Sequence, residues 1–184
     1  NNTGSFTITL PVCNAGGPET MFITPFNSFD LLPGNTLAAS ITSGTNTVSL
    51  NGCYNPAGTK EYVSYAVDNT LYGSYVQPQD SIVQLAGSYP DQMFISVQRK
   101  TFYGLIYATG FSIYTTGIAV GSDQPVEDVY IPEIDAGLSG PALARITEYG
   151  PVGGYIAGTI QTNVMDRNFK NYAVRLSFRV KRNF

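Results

Sequence analysis

The sequence contains few of the side chains that carry out chemistry in proteins. Its 184 residues include thirteen Asp and Glu residues and two cysteines, whereas histidine and tryptophan are absent. Without histidine there is no Ser-His-Asp or Cys-His catalytic group, no imidazole ligand for a metal and no side chain that ordinarily titrates near neutral pH. We therefore expect a protein that is not an enzyme and that uses no cofactor.

The carboxylates are the remaining candidates for chemistry. Five of them lie close together in the sequence, at Asp123, Glu127, Asp128, Glu133 and Asp135. Calcium prefers such oxygen ligands, but the stretch lacks the spacing of a D-x-D-x-D-G calcium loop, so we predict no metal site. A pair of carboxylates could also hydrolyse a glycoside, yet nothing in the sequence singles out a pair. A hydrolase is the weakest of the alternatives.

Cys13 and Cys53 could form one disulfide or stay as two free thiols. Both lie beside turn-forming residues. With no histidine and no C-x-x-C motif, a zinc site would lack ligands. A bridge would close a long loop and stabilise the fold by about 4 kcal/mol on the chain-entropy model. We expect the disulfide, which implies an oxidising compartment.

The charge distribution excludes one class of partner and allows another. A net charge of −3 argues against a general nucleic-acid-binding protein. Most of the cations lie near the carboxyl end, at Arg167, Lys170, Arg175, Arg179, Lys181 and Arg182. Two copies could attract each other end to end through this basic region and the acidic stretch, or both regions could be solvated strand faces.

The amino-terminal residues predict a location. Asn1-Asn2-Thr3 starts without methionine, a basic stretch or an apolar stretch, so we interpret the chain as a mature product whose signal peptide has been removed. We expect it to be secreted, either extracellular or at the cell surface. No apolar run approaches the ~20 residues that a membrane-spanning helix needs, so no membrane span is predicted.

Glycine and proline interrupt the sequence at short intervals. The 19 glycines and 11 prolines separate segments rich in Thr, Val, Ile, Tyr and Phe. This pattern predicts an all-β fold, an antiparallel β-sandwich of immunoglobulin-like or jelly-roll-like type, with helix limited to a turn or two near Leu37-Ala38-Ala39. The strand candidates are residues 21–24, 36–42, 47–50, 61–67, 71–76, 82–85, 93–98, 102–108, 111–120, 126–131, 142–149, 155–164 and 172–181.

The last two candidates carry the clearest pattern. Tyr172, Val174, Leu176, Phe178 and Val180 alternate with Ala, Arg, Ser and Lys. Side chains of a strand point alternately to its two faces, so one face should be buried and the other solvated. The preceding segment, residues 155–164, is expected to pair with it in an antiparallel hairpin.

The amino-terminal segment alternates in the same way. Phe6, Ile8, Leu10 and Val12 share one face, and fully burying such side chains is favourable by about 1.5–3 kcal/mol each. We divide the chain into an arm, residues 1–12, and a single β-sandwich domain, residues 13–184. The arm is either the first strand of its own domain or a donor strand that completes the sheet of another copy.

Tyrosines indicate a different kind of partner. Nine of the thirteen lie between Tyr54 and Tyr114. A tyrosine ring with its polar hydroxyl suits sugar stacking or a protein interface, but tyrosine is also an ordinary strand residue. A glycan is therefore an alternative ligand.

The carboxyl-terminal third resembles a group of uncharacterised secreted or surface β-sandwich proteins of Bacteroidota. The resemblance rests on residues 146–159, a "teyG-vGGyi-Gt" pattern, and on the closing Phe178-Arg179-Val180-Lys181-Arg182. It covers about forty residues, implies an exported protein and identifies no catalytic residue. Asp80-Ser81-Ile82 is also similar to the D-S/T-aliphatic O-glycosylation sites of Bacteroidota secreted proteins, which makes Ser81 a candidate glycosylation site.

Taken together, these patterns predict a secreted structural protein. We expect a subunit of an extracellular filament, a homopolymer held together by donor-strand complementation through Phe6, Ile8, Leu10 and Val12. The alternative is a monomeric surface module that binds a glycan or a protein without catalysis. Deletion of the arm and a measurement of mass in solution separate the two.

Overall fold

Segments of alternating polarity form strands throughout the described part of the chain. The computed structural model describes residues 19–23, 31–32, 37–42, 44, 46–48, 61–77, 80–87, 89–101 and 104–184. Within them a single 3₁₀ turn, Pro132–Ile134, is the only helical element, so the predicted all-β fold is confirmed. The strands are β1 (Glu19–Ile23), β2 (Leu37–Ile41), β3 (Tyr62–Val67), β4 (Leu71–Val76), β5 (Asp80–Ala86), β6 (Gln92–Thr101), β7 (Gly104–Tyr114), β8 (Asp123–Ile131), β9 (Ala136–Leu138), β10 (Ala142–Tyr149), β11 (Tyr155–Asp166) and β12 (Asn171–Lys181).

The strands belong to two sheets of very different size. β1 and β2 form a two-stranded antiparallel sheet. The other ten strands form one sheet in the order β4-β3-β12-β11-β10-β8-β7-β6-β5, and the short β9 pairs with both β11 and β8. From β5 to β12 the strands mostly follow chain order as an antiparallel meander, and the β3-β4 hairpin is added beyond β12.

The large sheet rolls over on itself to form both layers of a sandwich. Phe111 of β7 and Phe178 of β12 are fully buried, and their ring centroids lie 5.0 Å apart at an interplanar angle of 55°. Three strands separate β7 from β12 within the sheet, so this contact requires the two halves to face each other. Tilted aromatic pairs at this distance add to the stabilisation from burial itself.

The carboxyl-terminal hairpin has the predicted antiparallel pairing and faces. β11 pairs with β12 from Tyr155↔Lys181 to Met165↔Asn171. Val174, Leu176, Phe178 and Val180 are buried, as their alternation predicts. Ser177, on the opposite face, is buried as well, and its hydroxyl is satisfied by that of Tyr62 on the neighbouring β3, 3.1 Å away.

Some local predictions need correction. Leu37–Ile41 is a strand, as the candidate 36–42 predicts, and the helical turn also expected there does not form, because pairing with β1 stabilises the extended backbone. Residues 47 and 48, the described part of the candidate 47–50, form no strand, and the candidate 111–120 is too long, because β7 ends at Tyr114. Gly110 does not interrupt β7, because it pairs with Ser96 on one side and Tyr130 on the other. Here tertiary pairing overrides local propensity.

Candidate strand-acceptor site

The two ends of the large sheet are consecutive in the chain. β4 ends at Val76 and β5 begins at Asp80, yet among the described strands β4 pairs with β3 only and β5 with β6 only. Consecutive antiparallel strands usually pair with each other. The free edges of β4 and β5 therefore bound an opening in the rolled sheet, which we call the seam.

Register shows which backbone groups face the seam. In antiparallel pairs, residues alternate between those that hydrogen-bond to the neighbouring strand and those whose backbone groups point away from it. Gln77 N–H donates to Glu61 O and Gly87 N–H to Gln92 O. Residues an odd number of positions before Gln77 in β4, or before Gly87 in β5, therefore have backbone N–H and C=O groups that point away from the paired strand and towards the seam. On β4 these are residues 72, 74 and 76, and on β5 they are residues 80, 82, 84 and 86.

Asp80 and Arg99 occupy the corner of the seam where β4 leads into β5. Arg99 Nε donates to Asp80 Oδ1 at 2.8 Å and Nη2 donates to Oδ2 at 3.1 Å. Asp80 Oδ2 accepts from Val76 N–H at 2.9 Å, and Arg99 Nη2 donates to Ser74 O at 2.9 Å. The ion pair thus caps two edge groups of β4 with side chains instead of a strand.

The two side chains of this ion pair differ in their exposure to solvent. The Asp80 side chain is 5% exposed, whereas that of Arg99 is 47% exposed. The carboxylate holds the pKa of Arg99 above its ordinary value. The Arg99 guanidinium also lies 4.4 Å from the centroid of the Tyr75 ring, a cation–π contact. These contacts fix Arg99 against β4.

The residues that follow β12 cap the other edge. Asn183 Nδ2 donates to Gln84 O at 3.0 Å, and Asn183 N–H donates to Gln84 Oε1 at 2.6 Å. Gln84 O is one of the outward-pointing groups of β5. A single side-chain amide therefore satisfies an edge group that a neighbouring strand would otherwise satisfy.

Two buried tyrosines and the exposed Glu133 form a polar cluster beneath β4. The hydroxyls of Tyr65 and Tyr75 lie 3.2 Å apart, and both donate to Glu133 Oε1, at 2.5 and 2.9 Å. Burial raises the pKa of Tyr75 to about 12. Burial, followed by the hydrogen bond to Glu133, raises the pKa of Tyr65 further. Both hydroxyls are therefore protonated donors, which link the 3₁₀ turn to β3 and β4.

Gly73 of β4 makes room for this cluster. It pairs with Tyr65 across the β3-β4 ladder, and a Cβ atom at position 73 would lie 2.3 Å from Cζ of Tyr65. The tyrosine ring covers the glycine and fills the inward space that a side chain of β4 would occupy. The inner wall of the seam at this point comes from β3.

The side chains of β5 that face solvent are partly apolar. Ser81, Val83 and Leu85 are exposed, and the last two have 37% and 47% of their surface accessible. Ser81, the candidate glycosylation site, thus lies on the surface beside the buried Asp80. Its hydroxyl is therefore sterically accessible.

The other predicted site residues lie outside the described residues. These are the arm residues Phe6, Ile8, Leu10 and Val12, and the two cysteines, Cys13 and Cys53. The seam is thus described, whereas the segment predicted to fill it is not.

The tyrosine-rich region is distributed over several environments. Tyr62, Tyr65 and Tyr75 are buried, so they present no surface to a sugar. Tyr89 is 56% exposed. These described side chains do not form a shared aromatic platform.

The residues that carry the sequence resemblance close one end of the β10-β11 hairpin. Arg179 binds Glu148 through two hydrogen bonds, of 2.6 and 3.1 Å, and its guanidinium lies 3.7 Å from the Tyr155 ring centroid. Arg182 lies over Tyr149 in the same way, at 4.3 Å. The pattern therefore has a structural role here: its cations and tyrosines join β12 to the preceding hairpin.

Two further observations concern other classes of site. Within the described ranges, no three His, Cys, Asp or Glu side chains are grouped so that they could hold a metal ion. No helix in the same part of the chain combines the length and apolar character needed to cross a membrane.

Comparison with known proteins identifies no relative of this chain. No protein-family model, curated protein or solved structure matches the chain at a significant level. The fold and the seam therefore define the class directly, as an all-β protein whose rolled antiparallel sheet has two free edges side by side.

Sequence reasoning missed the seam residues. Asp80, Arg99 and Asn183 lie far apart in the sequence, and no spacing signal connects them. The sequence shows an acid, Asp80, just before a predicted strand, but the burial that requires a cationic partner for it is visible only in the structure.

Proposed function

We propose that this protein is a secreted structural subunit of an extracellular filament, in which the arm of one copy occupies the seam of the next. Donor-strand addition supplies main-chain hydrogen bonds along an exposed edge and side chains that fill alternate pockets. The observation that carries the proposal is that β4 and β5 have facing free edges and that side chains cap several of their backbone groups.

The alternating part of the arm and the two edge strands are similar in length. The alternating part of the arm, residues 6–12, is as long as the seven-residue β5 and one residue longer than the six-residue β4. An inserted strand would meet outward-pointing groups at residues 82, 84 and 86 of β5. Its apolar residues would face inward, next to Ile82 and Tyr75, both of which are buried.

The caps at the seam suit a site that is protected before assembly. Exposed edges are prone to unwanted pairing, and natural proteins protect them with charged side chains and local covers. Asp80, Arg99 and Asn183 supply such protection. An incoming strand offers one hydrogen bond per outward-pointing group, so it can replace the Asn183 amide at Gln84.

The arm is tested by charges placed on its two faces. A variant with Ile8→Asp and Leu10→Asp carries two charges on the face predicted to be buried, and the matched variant Thr7→Asp with Thr9→Asp carries the same charges on the opposite face. We expect filaments in electron micrographs of the parent and the threonine variant, and folded monomers by light scattering for the Ile8/Leu10 variant. Filaments formed by the Ile8/Leu10 variant would refute the proposal.

The acceptor is tested separately at the edge of β5. Ala86 is exposed, and its N–H points away from β6, so Ala86→Pro removes an edge donor without breaking the β5-β6 ladder. This variant should fold and should not extend filaments, while its unaltered arm still adds to a parent subunit. A mixture of Ala86→Pro with the Ile8/Leu10 variant should form short complexes only, because one variant can donate its arm but not accept one, and the other can accept an arm but not donate its own. Normal filaments of Ala86→Pro alone would exclude β5 as the acceptor.

The alternative is a monomeric surface module that binds a glycan or a protein. The exposed Val83, Leu85 and Tyr89 favour it, because exposed apolar and aromatic side chains are typical of binding surfaces. A monomer that persists at high concentration, with an intact arm, favours the module. Glycan-array binding that is lost in Tyr89→Ala would then identify the ligand class.

Secretion, the Cys13–Cys53 bridge and glycosylation at Ser81 belong to the same proposal. Intact mass spectrometry of native material under non-reducing conditions tests the bridge and the glycan, and recovery of the chain from cell-free culture medium tests secretion. We expect a mass lower by two hydrogens than that of the reduced chain, plus a glycan mass that Ser81→Ala removes. Free thiols in native material would contradict the predicted disulfide.

A further inference from the structure

The tip of the β11-β12 hairpin presents an aromatic side chain in an unusual backbone conformation. Phe169 is 80% exposed, the highest value among the exposed large hydrophobic residues in the described ranges. Its φ is +61°, a left-handed conformation that is rare for a bulky residue and costs about 1–2 kcal/mol. A bulky apolar residue that is both strained and exposed stabilises neither the turn nor the core, so its position needs another reason.

Asp166 holds this tip rigid. Its Oδ1 accepts from Asn168 N–H at 2.8 Å and from Lys170 N–H at 2.9 Å, and its Oδ2 accepts from Tyr172 Oη at 3.1 Å. The hydrogen bond from Lys170 N–H is the largest cause that lowers the pKa of Asp166. Phe169 N–H donates to Asp166 O at 3.1 Å. Phe169 is thus displayed on a defined turn next to the cation Lys170, whereas Arg167 on its other side is already paired with Asp135 of the same chain.

A surface with the complementary character lies on β8 and β10. Pro125 and Leu143 are directly opposite each other in the ladder and both are exposed, Leu143 by 56%. A register shift in the β7-β8 ladder leaves Glu127 and Asp128 both exposed. No ion-pair partner of either carboxylate is found among the described residues. The result is a small apolar patch with an acidic border.

The tip and the patch of one molecule are too far apart to meet. Gln161 of β11 pairs with Leu143, and the tip begins after Asp166 on the same strand. Five residues at about 3.4 Å each place roughly 17 Å between these two points. The contact that would join them is therefore between two molecules, head to tail, and such contacts propagate if they do not close into a ring.

We propose that the Phe169 tip of one copy docks on the Pro125–Leu143 patch of the next, with Lys170 against Glu127 and Asp128. The contact uses no residue of the arm; without strand donation it supports only weak, reversible association at high protein concentration, below which the Ile8/Leu10 variant stays monomeric. The charges determine how the two copies are oriented and which surface the tip recognises, and Phe169 is the apolar side chain that becomes buried in the contact.

Phe169→Gly is the first test. Glycine adopts positive φ without strain, so the variant should unfold at a higher temperature than the parent. Loss of the anchor should nevertheless weaken self-association about 10- to 100-fold, measured as the dissociation constant by sedimentation velocity, or as the critical concentration if filaments form. Exposed Val152→Gly, in the β10-β11 turn, is the control. Unchanged association of a well-folded Phe169→Gly would overturn the proposal.

Charge exchange is the second test. Lys170→Glu gives a chain with an acidic tip and an acidic patch, and Glu127→Lys with Asp128→Lys gives a chain with a basic tip and a basic patch. Each should associate less than the parent, and an equimolar mixture should regain association, because every tip then meets a patch of opposite charge. Failure of the mixture to associate would overturn the proposal.

A membrane surface is the competing partner for an aromatic tip with flanking cations. Flotation with vesicles of phosphatidylserine and phosphatidylcholine distinguishes it. We expect no flotation of the parent chain. If the parent chain floats and Phe169→Gly does not, the tip binds lipid and the self-association proposal is overturned. The two proposals can fail separately. Ile8→Asp with Leu10→Asp changes the arm and leaves the tip intact, whereas Phe169→Gly changes the tip and leaves the arm intact.

Discussion

Asn183 Nδ2 donates to the backbone carbonyl of Gln84 at 3.0 Å, so the residues after β12 lie against the free edge of β5. The same asparagine donates its N–H to the Gln84 side chain. This link joins the last strand in the chain to the strand at one end of the sheet. It also covers a backbone group that the proposed donor strand needs.

Asn183→Ala should loosen this cover. A typical hydrogen bond contributes about 0.5–1.5 kcal/mol, so we expect a loss of that size in the free energy of unfolding. The exposed carbonyl should at the same time be more accessible, and filament growth should start after a shorter lag, measured by light scattering. Asn171→Ala, at the exposed start of β12, is the control. A longer lag for Asn183→Ala would contradict the role of this residue as a cover.

Arg99→Met should destabilise the corner of the seam. The change leaves the buried Asp80 carboxylate without its cation, and we expect a loss of about 1–3 kcal/mol in urea unfolding. Arg145 forms a comparable pair with Asp123, 3.2 Å long, in which both side chains are about half exposed. Arg145→Met should therefore cost less than about 1 kcal/mol. Equal losses in the two variants would show that burial of Asp80 has no energetic effect.

Gly73→Ala should also be destabilising, by about 1–3 kcal/mol, because the new methyl group overlaps the Tyr65 ring. The ring would have to move away from Glu133. Gly140 is the matched position, since a Cβ atom there meets nothing within 4 Å. Gly140→Ala should leave stability unchanged or raise it by about 0.4–1 kcal/mol. Thermal unfolding of the two variants measures the difference.

Stability should fall in alkaline solution. The pKa of Tyr75 is raised to about 12 and that of Tyr65 is raised as well, so the native state holds these protons more tightly than the unfolded state. Their contribution is complete below the unfolded pKa of about 10 and is lost as the pH rises from there towards 12. The slope is about 1.4 kcal/mol per pH unit for each tyrosine that ionises only on unfolding.

Urea titrations at several pH values between neutrality and the alkaline limit check this prediction. Tyr65→Phe should make the decline with pH shallower, because one of the two raised groups is removed. Tyr89→Phe, which alters an exposed ring, should leave the slope unchanged. A pH-independent free energy of unfolding in the parent would show that the two hydroxyls ionise equally in both states.

Local patterns predicted many of the strands. β12 and β11 each carry period-two alternation bounded by turn residues, and they lie where the sequence places them. β9 was missed because three residues, Ala136–Leu138, are too few to show a period. β7 was divided at Gly110 because glycine ordinarily weakens a strand, a preference that two flanking ladders override.

The candidate site was less predictable, because its residues are brought together only by the roll of the sheet. A sequence shows which residues of β4 share a face, but not that β4 and β5 stay unpaired although they are consecutive. Asp80 and Arg99 are opposite each other only in the β5-β6 register. Ser74 joins them from β4, and Asn183 caps Gln84 farther along β5.

The sequence by itself determined the class of the protein: its alternating apolar residues, frequent turns and lack of histidine predict β structure and make the usual histidine-based chemistry impossible. The tertiary structure decided which strands became neighbours, since the Phe111–Phe178 contact and the seam both depend on where the sheet curves. Alternation is a local property of the backbone and can be read along the chain. The curvature of a sheet is the sum of many small twists and long-range contacts, so it appears only when all strands are in place.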